Sequence, residues 1–451
     1  RDPDYIDDPI VGEYVDVIWR RLLAGARARG ELPPELDERY AWRVLLGRDR
    51  SINAFALPGG YMGLPLGLVG SVPSRDELVH RTQRHMPRLL SAQDRQAPLL
   101  LAAMVLGAIA ASKNPQAGAA LAVGGQAAVI QQQLNFSRDM EREADRIGYG
   151  VMTQAGFAGQ GFVSMFEKLQ AASRINDNSD WPYLRSHPLT TQRIADMQQR
   201  QQSLARQAPP VDLEAALVAG RARALSRPGV DVLRAWAGEP AQPGFASRPL
   251  AQRAGALYAA ALAQAQLRDL PKAQALATQL ALAVTGDGPA AQQARLLQAE
   301  LALQAGEPAQ VLKLLSGAPR PASADVQGQA GRAALLLRAQ ALVGTGQATE
   351  AAGALQTWVS DHPRDAGAWQ ALAQAHGAAG RTLRALRAEG EVPMAHMDYA
   401  GAVDRWRAAQ DFSRRQPGDN ADLIEASIVD TRLRAAQAAL KQQQLDEMKR
   451  R

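Results

Sequence analysis

A chain of 451 residues is long enough for two or three domains that each bury a core, and its 46% hydrophobic and 5% aromatic content, with Ala, Leu, Gln and Arg dominating the second half, favours helix over sheet. The formal charge of +6 is scattered among acidic residues, without the basic stripe of a nucleic-acid binder, so nucleic acid is set aside as a partner. Cysteine is absent, which excludes disulfides and thiolate ligands; any zinc must sit on His and carboxylates.

The chain opens at Arg1-Asp2-Pro3-Asp4 without an initiator Met and reads as a processed or trimmed form. Asp8 to Gly30 carries apolar residues at helical spacing and predicts an amphipathic helix capped just before Pro9. Between Tyr40 and Val69, Trp42–Leu46 and Ile52–Leu57 read as short strands, with Pro58-Gly59-Gly60 as the turn into Tyr61–Leu64. A small sheet follows, whose edge could receive an extended peptide as an added strand.

Ser74 to His85 comes next and nearly spells a zinc-protease helix. In H-E-x-x-H two imidazoles four residues apart face the same way, and the Glu beside the first activates a metal-bound water. Here the frame is Asp76-Glu77-Leu78-Val79-His80: Glu77 holds the base position and His80 the second ligand position, with Asp76 where the first His belongs.

Ala97 to Ala111 is an apolar run of 15 residues, short of the ~20 a spanning helix needs, followed by Lys113-Asn114-Pro115 and a small-residue run to Ile130. Residues 97–131 therefore predict a helical hairpin, either buried or dipping into a membrane as a lid; a membrane-embedded protease would need a longer run. Glu141 and Asp145 lie four apart on one helical face. Such a pair can supply one metal ligand and one carboxylate that orients a ligand, or can form a solvated salt-bridging face with Arg142 and Arg146. His187, before Pro188, sits in an extended turn from which a metal is reachable but not required; a polar helix, Thr191 to Gln207, follows.

Pro209-Pro210 marks a boundary, dividing the chain into 1–208 and 209–451. Beyond it, turn dipeptides at Arg268-Asp269, Gly306-Glu307, Gly346-Gln347 and Gly380-Arg381 are spaced by 38, 40 and 34 residues, close to the ~34-residue period of tetratricopeptide repeats. Gly346, Ala351, Leu355, Trp358 and Pro363 make the best repeat, and Trp369, Leu372, Ala373 and His376 begin the next in phase. Asp398–Ala402 with Trp406 and Ala409 reads as the second helix of a further repeat, and Lys441 to Arg451 as a frayed helix end. A repeat array of this kind recruits peptides or partner proteins.

Ile52–Gly60, Thr82-Gln83-Arg84-His85, Glu141–Gly148, Ser186-His187-Pro188 and the repeats, in that order, resemble the BepA-type periplasmic zinc metalloprotease and chaperone family. The resemblance implies a mainly α fold with a small sheet: an α+β minigluzincin-like peptidase domain followed by a tetratricopeptide-repeat solenoid. It implies Zn2+ held by His80 and Glu141, Asp145 as an orienting or proton-donating carboxylate, and His187 as a switch that can occupy the open zinc position. It further implies action in the periplasm, peripheral to the outer membrane, on unfolded or misassembled outer-membrane proteins, with the repeats engaging the assembly machinery. The departure from the family is local. About eight residues of the family pattern, roughly 12 Å of helix, are missing where Leu78 runs straight on to His85, and they would carry the first His and the catalytic Glu. Three readings follow: a segment closed up out of the chain, a literal site using Asp76 as ligand and Glu77 as base, or a catalytically inactive repeat-based chaperone or scaffold.

Overall fold

The computed structural model describes residues 4–52, 54–57, 59–72, 74–83, 143–159, 212–316, 331–415 and 420–450, together with 195 and 199. The predicted hairpin at 97–131 lies outside the described residues, as does the predicted helix from Thr191 to Gln207 apart from those two helical positions. Helix dominates, with one three-stranded sheet among the described residues. No helix among them is long and apolar enough to cross a membrane. The chain forms two compact units, the first of Arg1–Ile6 and Tyr14–Pro228, the second of Asp7–Glu13 and Gly229–Arg451.

Helix α1 (Pro9–Ala28) starts where expected: Pro9 takes its first position and Asp8 caps it, the Oδ1 accepting the Val11 N–H at 2.8 Å. Gly30, at φ +70°, closes it, with the Glu31 N–H reaching back to the Ala26 carbonyl at 2.9 Å. In the first unit its Tyr14, Val15, Ile18, Trp19, Leu22, Leu23 and Ala26 are all buried, the stripe that the 3.6-residue period demands.

Helix α2 (Pro34–Arg39) leads to strands β1 (Arg43–Gly47), β2 (Phe55–Leu57) and β3 (Tyr61–Pro65), in the order β1-β3-β2. β3 pairs antiparallel with β2 through a turn containing Gly59 and Gly60, both at φ +81°, and parallel with β1. The first two strands are shorter or later than the propensity pattern predicts. Trp42 is not strand: it sits at φ +46°, a region costly for a bulky side chain. Its carbonyl accepts the Trp19 Nε1–H at 2.7 Å and its own indole donates to the Asp37 carbonyl at 3.2 Å, so tertiary hydrogen bonds hold a conformation that local preference opposes. Helices α3 (Leu66–Ser71), α4 (Arg75–Gln83), α5 (residues 143–154) and α6 (Leu213–Leu225) complete the described part of this unit.

The second unit is a run of helices: α7 (Val230–Gly238), α8 (Leu250–Gln266), α9 (Leu270–Ala283), α10 (Gly288–Gln304), α11 (Pro308–Leu314), α12 (Arg332–Gly344), α13 (Ala348–Asp361), α14 (Ala366–Ala378), α15 (Thr382–Ala395), α16 (Tyr399–Arg415) and α17 (Asn420–Arg450). Each packs on the next in sequence, the contact pattern of a helical repeat array. The four sequence-marked turns share one backbone solution. Arg268, Gly306, Gly346 and Gly380 lie at φ +67°, +75°, +77° and +73°. In each, the next residue's N–H bonds five residues back, to Gln264, Ala302, Leu342 and His376. Arg268 bears a side chain where glycine is preferred, so Arg268→Gly is expected to stabilise this unit by about 1 kcal/mol, read as a higher midpoint in urea unfolding.

Ala351, Leu355, Trp358, Trp369, Leu372 and Ala373, the positions that carried the repeat phase, share one buried cluster with Leu335, Leu336 and Leu342. One assignment changes. Because α15 already follows the Gly380 turn as the partner of α14, α16 opens the next helix pair instead of closing one; its Trp406 packs in a cluster with Val429 and Leu433 of α17. The C-terminal segment expected to fray is helical through Arg450.

Candidate active site

The site region is organised by the starts of two helices. Ser74 caps α4, its hydroxyl accepting the Glu77 N–H at 3.3 Å, and Ser74-Arg75-Asp76-Glu77 is thereby a capping-box sequence with the acid three residues after the cap. Asp212 caps α6, its Oδ1 accepting the Ala215 N–H at 2.9 Å, while its Oδ2 accepts the Arg75 N–H at 3.3 Å. One carboxylate therefore serves two helix N-termini, where the exposed N–H groups and the helix dipole both favour negative charge. Arg75 completes the junction by pairing with Glu214 and lying over the Tyr14 ring at 5.4 Å. Burial first, then the Asp212 charge, pushes the Tyr14 hydroxyl's pKa far up.

Asp76, which stands at the first ligand position of the near-motif, accepts the Ala158 N–H on its Oδ1 at 3.1 Å. Its carboxyl pKa is raised, chiefly by burial and further by Asp212, with the Ala158 hydrogen bond and Arg75 pulling the other way. This contact ties the first turn of α4 to the chain just past the C-terminal end of α5. Asp212→Ala should lower first-unit stability by about 2 kcal/mol and let the Asp76 pKa fall; chemical denaturation and carboxyl NMR titration check the two effects.

Glu77 is 6% exposed and Asp145 1% exposed. Glu143 and Arg146 pair at 2.5 Å on the solvated face of α5, while Asp145 of the same helix is turned inward. Helix α5 ends in the left-handed Gly156, and Arg21 donates to the Ala155 carbonyl at 2.8 Å while lying 4.2 Å from the centre of the Phe157 ring. A Cβ on Gly25 would stand 2.8 Å from the Val151 carbonyl oxygen, so α1 and α5 approach closely there. Of the other expected site residues, Glu141 and His187 lie outside the described residues; His80 is on α4, with its side chain outside them. Among the described residues, no three His, Cys, Asp or Glu side chains gather as a metal cradle. The junction of Tyr14, Arg75, Asp212 and Glu214 did not stand out as a site; Ser-x-x-Glu at 74–77 and Asp-x-Glu at 212–214 were its local signals.

Residues 21–201 match the model of peptidase family M48. The chain is 34% identical over 289 residues to a Vibrio cholerae protein provisionally named a beta-barrel assembly-enhancing protease, a match covering 61% of this chain and 56% of that protein. It is 31% identical over 204 residues to the beta-barrel assembly-enhancing protease of Escherichia coli K12, covering 43% of this chain and 40% of that protein. The same identity over 203 residues, with the same coverage, relates it to the Yersinia pestis protein of that name. The chain thus spans about half, or less, of the length of these curated relatives. The buried Asp145 of α5, the buried Glu77 of α4 and the hydrogen bond from the Ala158 N–H to Asp76 all fall within residues 21–201, the segment that matches the model of peptidase family M48.

Proposed function

We propose that this protein is a zinc-dependent endopeptidase and chaperone of the cell envelope, acting in the periplasm on unfolded or misassembled outer-membrane proteins. The observation that supports the reading is the burial of Glu77, in the Asp-Glu-x-x-His phrase of α4, and of Asp145 on α5, within the segment that matches the peptidase family M48 model. The peptidase domain is taken as 1–208. The part from 209 onward is a tetratricopeptide-repeat domain that engages substrate or the assembly machinery and allows peripheral contact with the outer membrane. The names of the relatives support the substrate class.

Two imidazoles and a carboxylate are a donor set suited to zinc. In this reading His80 and Glu141 hold the metal, Asp145 orients a ligand or donates a proton, and His187 covers the open position at rest. When bound, zinc supplies an acidified water and a polarised scissile carbonyl. Glu77 is the base only if the near-motif acts as written, and the described residues do not by themselves complete a metal site. The exposed edge of β2, where Phe55 stands nearly half exposed, is suited to take an extended substrate main chain.

A second reading rests on Ser74. Because Ser74-Arg75-Asp76-Glu77 forms a helix cap, and Asp76 spends an oxygen on Ala158, these residues have a structural reason for their places without proteolysis. The protein is then an inactive repeat-based chaperone or scaffold. Zinc content, intact mass and cleavage of an unfolded β-barrel protein separate the two. About one zinc per chain, with cleavage lost in His80→Ala and Asp145→Asn, supports the peptidase. A mass equal to that of the 451 residues, with neither zinc nor cleavage, leaves the scaffold.

A further inference from the structure

A cluster of arginines beside a buried histidine in the second unit has no part in that reading. Arg381 follows the Gly380 turn and donates its backbone N–H to the His376 carbonyl at 2.9 Å, and Arg384 and Arg387 follow on α15 at three-residue spacing. His376, on α14, is 6% exposed, and its Nδ1 is buried without a hydrogen-bond partner. Arg387 lies 5.8 Å from the centre of the Trp369 ring, and its Nε is likewise buried and unpartnered. The acids of α15 are engaged elsewhere: Glu389 pairs with Arg405, and Glu391 accepts the Arg432 Nε–H at 2.7 Å. The carboxylate that faces these arginines comes from Glu425 of α17, 3.5 Å from Arg384 and 3.6 Å from Arg387. Both distances are ion-pair contacts longer than a charge-assisted hydrogen bond.

We infer that the cluster of Arg381, Arg384, Arg387 and His376 is a binding site for a ligand carboxylate, a place that Glu425 fills loosely from within the chain. Guanidinium groups present parallel N–H donors matched to a carboxylate, and among the described residues three of them face one acid. The imidazole registers their charge. Burial, followed by Arg384, Arg381 and Arg387, pulls the His376 pKa down to about 4, so His376 is neutral at pH 7 and adds no competing cation. Two sources share this chemistry: the C-terminal carboxylate of a peptide and a free small carboxylate.

The test uses the full chain and a fluorescein-labelled unstructured peptide with a free C-terminus, followed by anisotropy, with its C-terminally amidated counterpart and acetate as competitors. Saturable binding of the free acid is expected, about tenfold weaker for the amide and about tenfold weaker in Arg384→Gln and Arg387→Gln. Glu425→Gln, which removes the internal occupant, should tighten binding several-fold, while Arg338→Gln on α12, whose partner is Glu350, should leave it unchanged. Acetate displacing the peptide would identify a site for any small carboxylate; preference for the acid without displacement by acetate would identify the peptide terminus. Equal binding of acid and amide, no binding of either, or binding weakened by Glu425→Gln would overturn the assignment. If Arg384→Gln or Arg387→Gln unfolds the unit, as its melting curve would show, the Glu425→Gln gain still decides.

Discussion

Replacing Arg332 with Met is expected to cost the second unit about 3–5 kcal/mol. Arg332 is 4% exposed and serves two carboxylates. Its Nε and Nη2 donate to Asp365 at 2.7 Å each, and its Nη1 and Nη2 donate to Asp7 at 2.8 and 2.7 Å. Asp365 also caps α14, accepting the Ala368 N–H at 3.0 Å, and accepts the Trp358 indole N–H at 2.8 Å. Methionine fills similar volume but leaves a buried carboxylate without its cation, so the cost comes from the stranded charge more than from lost packing. Asp7→Ala should cost much less, because the Asp7 side chain is 37% exposed and Arg332 keeps Asp365. Hydrogen exchange of α12 to α14 reads the local effect; Arg332→Met within about 1 kcal/mol of the parent would show that the cluster is not a keystone.

The same cluster has a pH signature. Burial works to raise the Asp365 pKa, but the Arg332 hydrogen bonds and charge outweigh it, and the pKa is lowered. A carboxyl whose folded pKa lies below its unfolded value stabilises the fold at neutral pH. That contribution declines as pH drops below the ordinary range near ~4 and is lost once pH passes the lower folded value. Urea midpoints of the second unit should therefore fall on acidification, and less so in Arg332→Met, where the cause of the shift is gone.

Gly67→Ala is the second large effect, expected to destabilise the first unit by about 2–3 kcal/mol. A Cβ at this position would stand 2.1 Å from the Arg50 carbonyl oxygen and 2.2 Å from its carbonyl carbon. These are backbone atoms, and the same stretch is fixed by the Gly67 N–H bonding to the Asp49 carbonyl at 3.0 Å, so the clash cannot be relieved by a rotamer change. The helix-propensity gain of alanine in α3, about 1 kcal/mol at most, does not offset it. Near-parental stability by denaturant unfolding would mean that α3 shifts freely against the loop after β1.

The two units differ in how far their sequence could be read. In the second, Arg268, Gly306, Gly346 and Gly380 were visible as turns because a left-handed residue after a helix is a local requirement, and their spacing carried the repeat phase into the buried cluster around Trp358 and Trp369. The place of α16 in its helix pair was not, since it depends on α15 forming across a stretch with no clear repeat signature of its own. In the candidate site, Glu77 and Asp145 could be named from motif spacing. Whether Asp145 lay on a solvated or covered face could not, because the helical period marks a face without saying what packs on it.

The sequence by itself therefore determined the mainly helical class, the Asp8 cap of α1 and the left-handed turns. All of these follow from chemistry within a few neighbouring residues. Tertiary structure alone decided the parallel pairing of β1 with β3, the left-handed Trp42, the sharing of Asp212 between two helix starts, and the gathering of Asp7 and Asp365 on Arg332. Each joins groups far apart in the chain, where charge pairing and burial in three dimensions override the preference of any single segment.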